Sequence, residues 1–413
     1  VSPVNIAKSL SAFANHYGGW IFYGIEEATD GTHQAGAFPG IESSTAPKMV
    51  DRIAVASKDS VHPSVYYQHK LISGPCAEIG LLDDKSVIVV MVPSGQDAPY
   101  VHSSGRIYRR IADSSDPKPE TDRAILDQLW QRRRQAEVTL KELVTTRPLL
   151  SQGEELTSYM DLFLLPDPLR AAHQRTTLTF DEFIEAMRQK PLSGFQAPFD
   201  NFFTMAGGFV CRQIGSNNPY NLCLTWRHFV RGFSHISIPL SVTPVFIMER
   251  NFQSSYKWSA DFCNALRKAR LPETTDIVDV NQVAKIVIAI INQQRQLMSL
   301  GNIEGPLYAK ARIQNVWRRV PFVDSKSYLD VIGELGIPII QYDEAYVPAG
   351  LNLENMELLA TEHLDSYDDV VARQIVDAAP LFGALLNAFG LHSERLVNDL
   401  MQLILPFQSE GYE

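Results

Sequence analysis

AFANHYGGWIFYGIEE, Ala12–Glu27, is the stretch whose reading decides the fold. It sets Asn-x-x-Gly-Gly between a helical pattern and an apolar run that ends in two glutamates. Residues 4–16 read as a helix, with Ile6, Leu10, Phe13 and Ala14 recurring on one face. Gly18-Gly19 stops it, and Trp20–Ile25 reads as a short buried strand. The glycine pair permits a sharp turn with positive φ and opens main-chain N–H groups to a ligand. Asn15, at the helix end, tolerates the left-handed conformation and can hydrogen-bond the turn. Turn chemistry alone also accounts for Asn15, Gly18 and Gly19. Glu26 and Glu27 fall where α/β sheets commonly place site residues. Two such carboxylates can hold a divalent cation if further acids converge on it. They read equally as solvated charges at a strand end.

Working outward, a helix is expected at 46–58 and strands near 65–69 and 86–92, the last being SVIVVMV closed by Pro93. Short extended pieces follow at 99–102 and 106–111. The polar DSSDPKPET closes the unit, and a helix begins near Thr121. The order implies a compact α/β domain with a mixed sheet over residues 1–137. If 106–111 is a strand, Arg106 and Arg110 share one face with Tyr108 between them and Arg109 adjacent. Guanidiniums bracketing an aromatic ring suit phosphate contact plus base stacking. Surface solvation with local salt bridges is the competing account. Arg132, Arg133 and Arg134 spread around a helix and form no single face.

Read together, Ala12-Phe13-Ala14-Asn15, Gly18-Gly19, Gly24-Ile25-Glu26-Glu27, Val92-Pro93, Pro99-Tyr100, and Tyr108-Arg109-Arg110 running into Ser114-Ser115 resemble the Schlafen/AlbA-type domain, also called divergent AAA. The resemblance covers roughly residues 4–137, about a third of the chain. It implies a nucleic-acid-binding protein of the regulatory or defence kind, contacting DNA or RNA through Asn15, His16, Gly18, Gly19, Arg106, Tyr108, Arg109 and Arg110. His16 and Tyr17 fill the two variable positions before the glycines, where the family often starts with Thr. The family's nucleases use three acids with a divalent cation, Mg or Mn. Glu27, beside Glu26, matches the strand-end acid, commonly Asp in the family. The two upstream glutamates have no counterpart here. The first residue is Val, so a start further upstream is expected, and the endonuclease alternative depends on those acids. No G-x-x-x-x-G-K-[ST] occurs, which excludes a standard P-loop ATPase despite the family's second name.

The rest of the chain resembles no family. Residues 138–178 read as a linker with a helix, 179–350 as an α+β domain, and 351–413 as an acidic helical segment with Leu396, Leu400 and Leu403 on one face. Thr179 and Glu182 have capping-box spacing. Strands are expected in FVCRQI, LCLTWRHFV, SHISIPL and PLYAKARIQNVWRRVPF, with helices at 259–268 and from Val280 to about Met298. Cys211 and Cys223 flank a turn near His228 and His235, so a metal site is conceivable, although the ligand spacing is not standard. Core thiols and strand histidines fit as well. With only four scattered cysteines, reduced thiols and a cytoplasmic location are expected.

The formal charge of −10 argues against a wholly basic surface. The acidity is concentrated in residues 351–413, with 2 Lys+Arg against 11 Asp+Glu, so a local basic patch in the first domain remains compatible. The tail and the apolar helices around 370–404 favour self-association or a protein partner. A binding scaffold without nucleic-acid contact is therefore the third reading. No apolar run approaches the length of a membrane span.

Overall fold

The computed structural model describes residues 2–29, 34–110, 116–147, 150, 154–167, 176–188, 197, 199–215, 218–251, 255–303, 305–351, 355–359 and 370–396. Ile111, Ser114, Ser115, Leu400 and Leu403 lie outside the described residues. Helices and sheets are mixed throughout, as the α/β class requires. The chain forms two compact units, the first holding Val1–Thr139 and the second Leu140–Asp167 and Gln174–Glu413.

In the first unit, α1 (Pro3–Ala14) starts where the Ser2 side chain accepts from the Asn5 amide and Pro3 takes an early position that needs no N–H. Its apolar face buries Ile6, Leu10 and Phe13. The strand β1 (Gly18–Tyr23) follows, then α2 (Ala46–Asp59), β2 (Gln68–Ser73) and β3 (Lys85–Pro93). β3 is central. It pairs antiparallel with β1 along one edge and with β2 along the other. Its Ile88, Val90 and Val92 join Ile21 and Tyr23 of β1 in a core with α1, α2 and Leu129 of α3 (Arg123–Thr145).

β1 is not the fully buried strand its apolar composition suggests. As an edge strand it packs Ile21 and Tyr23 inward and leaves Trp20 and Phe22 exposed. Among the described residues of the expected strand at 106–111, only Tyr108–Arg109 form one, paired with Lys118–Pro119. The mixed pairing expected in the first unit occurs in the second, where Asp276–Asp279 runs parallel to Val320–Phe322 and antiparallel to Val242–Pro244.

The second unit is built on an eight-stranded sheet. Its members are β4 (Tyr159–Pro166), β5 (Asn201–Met205), β6 (Gly208–Arg212), β7 (Thr225–Phe229), β8 (Ser234–Pro239), β9 (Leu307–Gln314) and β10 (Glu344–Val347), in the order β5-β6-β7-β8-β4-β9-β10. Glu357–Leu359 pairs with β9 as well, a strand where a helix was expected. β4 lies inside the expected linker, yet it is wholly buried and pairs with β8 and β9. The capping box of α4 (Phe180–Arg188) forms as expected, the Thr179 amide donating to Glu182 at 2.8 Å and the Glu182 amide returning to Thr179 Oγ1 at 3.3 Å. A long helix, α5 (Val280–Leu300), is capped by Asp279, which accepts from the Asn281 and Gln282 amides. With α6 (Val370–Ala388) it covers the main core, so the C-terminal helix belongs to the same unit as the central strands.

One face of this sheet carries a buried polar network. Asp161 on β4 accepts from Arg312 Nη2 at 2.6 Å, from Ser237 Oγ at 2.9 Å and from Gln314 Nε2 at 3.2 Å, and lies 2.8 Å from His235 Nε2. Arg312, itself fully buried, also donates to the carbonyls of Thr145 and Thr146 at the end of α3. Strand pairing therefore brings together charges far apart in sequence and uses them to fix a helix terminus.

Candidate nucleic-acid interface

The motif pieces of the first unit converge on Asn15. Its side chain is buried, with Nδ2 donating to the carbonyls of Tyr100 at 2.8 Å and Tyr108 at 3.1 Å, while Oδ1 accepts from the Tyr100 amide at 2.7 Å. Three of the side chain's hydrogen-bonding positions are thus spent on backbone that the chain supplies 85 and 93 residues later. Asn15 has φ −75°, so it does not use the left-handed conformation that its residue type tolerates. It is a clamp between distant segments, and its buried amide does not present itself to a ligand.

The glycines serve close approach. Gly18 has φ +78°, and a Cβ there would sit 2.6 Å from the Val92 carbonyl oxygen. A Cβ on Gly19 would fall 2.2 Å from the Phe13 ring. The same ring also carries Arg110, whose guanidinium carbon lies 4.6 Å from the centroid. A cation so placed is held by the ring's quadrupole as well as by charge. Gly95 is equally constrained, since its Cβ would enter the Tyr100 ring. The Gly-Gly, Val-Pro and Pro-Tyr pieces therefore fit one another as a packed joint.

Tyr108 is also part of this joint. It is buried, lies edge-on to His102 at 5.4 Å and sits beneath the Lys8 ammonium. The base-stacking role expected between Arg106 and Arg110 is therefore unsupported, because the ring face is already covered by protein. The two-residue strand explains the difference: alternation cannot be projected across residues that do not form a strand.

Beside the glycine turn lies a half-buried cationic group. Arg132 Nη1 donates to the Ser94 hydroxyl at 3.0 Å and to the carbonyls of Gly95, Ala14 and His16 at 3.2, 3.3 and 3.5 Å. It staples the turn to α3 and keeps its positive charge beside His16. Partial burial, then the neighbouring charges of Arg109 and Arg132, lower the His16 pKa below its ordinary value, so the imidazole is neutral near pH 7. Tyr17 contacts the His16 ring at 4.3 Å and is 87% exposed, open enough to meet a ligand. Arg109 pairs with Glu120 at 2.8 Å. Arg106 is exposed and has no ion-pair partner among the described residues. Sequence reasoning passed over Arg132 as one of three arginines around a helix; only the fold shows that it faces the turn.

Glu26 and Glu27 do not continue β1. They form a separate two-residue strand against Ala35–Ala37, irregular in register, and both are exposed. Among the described residues no group of three or more His, Cys, Asp or Glu side chains is placed to hold a metal ion. Two exposed carboxylates with no third protein ligand among the described residues make no preformed cage and would leave most of a divalent cation's oxygens to water or substrate. The conceivable site near Cys211 is also not assembled. Cys211 lies opposite Trp226 on the core face, whereas His235 points to the other face and bonds Asp161. His228 is buried against Ser234, and its pKa falls to about 4 by burial.

No helix among the described residues is long and apolar enough to cross a membrane. No curated protein and no solved structure matches the chain. Residues 2–119, which hold the clamp, the glycine turn and the Arg106–Arg110 segment, match the family described as Schlafen, AlbA_2.

Proposed function

We propose that the first unit binds nucleic acid along the edge formed by the Gly18-Gly19 turn, through phosphate contacts from Arg106, Arg109 and Arg132 with His16 and Tyr17 alongside. The family match supports a nucleic-acid-related role. The observation that carries the assignment to this edge is geometric: Arg132 reaches the His16 carbonyl at 3.5 Å, and Asn15 holds the Tyr108 carbonyl at 3.1 Å, which brings Arg109 beside the same turn. In a chain of net charge −10, a turn flanked by Arg132, with exposed Arg106 and the Glu120-paired Arg109 on the neighbouring segment, is a physical reason for polyanions to settle here. Guanidiniums also suit phosphate geometry better than ammonium groups do. The C-terminal helices of the second unit are the candidate for partner contact or self-association, and the edge does not depend on them.

Arg106→Ala/His16→Ala tests the assignment without touching the buried clamp. Both the affinity for duplex and single-stranded probes and its salt slope are measured by fluorescence anisotropy. The expected result is similar weakening on every probe, with the slope reduced by about one for the lost phosphate contact. Unchanged affinity in the folded variant would remove this edge from the binding surface.

A further inference from the structure

Beyond the cationic turn, the outer face of the first unit's sheet carries an aromatic row that the fold leaves uncovered. Ile21 and Tyr23 point into the core with α1 and α2, whereas Trp20 is 58% and Phe22 50% exposed. The two rings lie two residues apart on the same face of β1, so they form a contiguous apolar pair and not scattered single residues. Register places Met91 beside Trp20 with Gln68 beyond it, and Val89 beside Phe22 with Lys70 beyond it. Both rings therefore stand on a surface that turns polar and basic at its far side. Two residues along a strand advance about 6.6 Å, roughly twice the rise per nucleotide of a stacked strand. Rings at that spacing suit bases splayed from an extended single strand, each lying on its own aromatic face.

We infer that this face is a stacking platform for single-stranded nucleic acid, with Trp20 and Phe22 each holding a base and Lys70 meeting the backbone. The inference rests on the nucleic-acid reading above and deepens it from a polyanion site to a single-strand site. Single-stranded nucleic acid is favoured over a protein by charge and by continuity. The row follows directly on the turn that holds exposed Tyr17 and the Arg132-bonded His16, and it faces Lys70 across the sheet. A duplex is disfavoured because its base faces are already stacked on one another.

The test compares wild type, Trp20→Ala/Phe22→Ala and the aromatic-preserving Trp20→Phe/Phe22→Tyr by anisotropy. The probes are labelled oligothymidylate, oligouridylate and duplex DNA, the first two separating DNA from RNA. Each lost stack is expected to weaken single-strand binding about tenfold, and the pair roughly a hundredfold. The aromatic-preserving variant keeps wild-type affinity, and duplex binding by the alanine variant is unchanged. Both side chains are half out of the core, so folding is checked by thermal unfolding alongside. Single-strand affinity unaffected by the alanine pair, in a protein that does bind nucleic acid, overturns the platform and leaves the phosphate-binding edge standing. Failure of wild type to bind any probe overturns both. Sedimentation adds one more outcome: self-association abolished by the alanine pair, with single-strand affinity intact, assigns the face to a second copy and overturns the platform.

Discussion

Asn15→Ala is expected to destabilise the first unit by about 2–4 kcal/mol. The substitution removes three hydrogen bonds at once and strands the Tyr100 amide together with the Tyr100 and Tyr108 carbonyls in the interior. Stranded polar groups cost more than the net worth of the bonds, because water cannot replace the partner. The effect is local, so amide hydrogen exchange is the suitable probe. Exchange in β3 is expected to accelerate about 30- to 1000-fold, each 1.4 kcal/mol being tenfold in an opening equilibrium, while β4 in the second unit is unaffected. A change in β3 of less than about fivefold would mean that the three bonds are not what joins these segments.

Asp161→Ala has the largest expected effect in the second unit. Removal of one partner from a buried ion pair typically costs about 3–5 kcal/mol, since the remaining charge has no water to turn to. Here the remaining charge is Arg312, left with the carbonyls of Thr145 and Thr146 and the side chain of Tyr346. Burial by itself pushes the Asp161 pKa up, but the hydrogen bonds and charges of His235 and Arg312 outweigh it and hold the carboxyl below its usual value. A carboxylate whose pKa is lower in the folded than in the unfolded state stabilises the fold above its unfolded value of about 3.9. That contribution disappears as pH falls through the folded value. Urea unfolding followed in β4 should therefore show a loss of several kcal/mol at neutral pH in the variant, together with a flatter acid limb. A loss below about 1 kcal/mol would show that the network is incidental to stability.

These two residues also mark how far the sequence was legible. The helix at 4–16, the SVIVVMV strand and the ordered motifs were readable because periodicity and turn chemistry are local. Asn15 was read as a turn residue because its neighbours allow that, whereas its actual partners lie across the fold. The strand around Asp161 was missed for a related reason. Tyr159–Pro166 is buried on both faces, so it lacks the alternation that identifies a half-buried strand, and the partners that neutralise its aspartate sit on β8 and β9. In the candidate interface, the arginines were visible as composition, yet two of the expected contacts moved inward. Tyr108 is packed, and Asn15 is spent on backbone. Arg132 took their place through a helix that brings it to the turn from more than a hundred residues away. Trp20 and Phe22 were read as core because an apolar run looks the same at the centre of a sheet as at its edge. Only the pairing of β1 on one side separates the two cases.

The central claim is that the Gly18-Gly19 edge binds nucleic acid by its phosphates. The most direct measurement is the wild-type binding constant for single-stranded and duplex probes across a salt series. If Arg106, Arg109 and Arg132 contact phosphate, the logarithm of affinity falls linearly with the logarithm of salt, with a slope of about −2 to −3, as released counterions require. A salt-independent affinity, or no binding by the folded protein, would contradict the account.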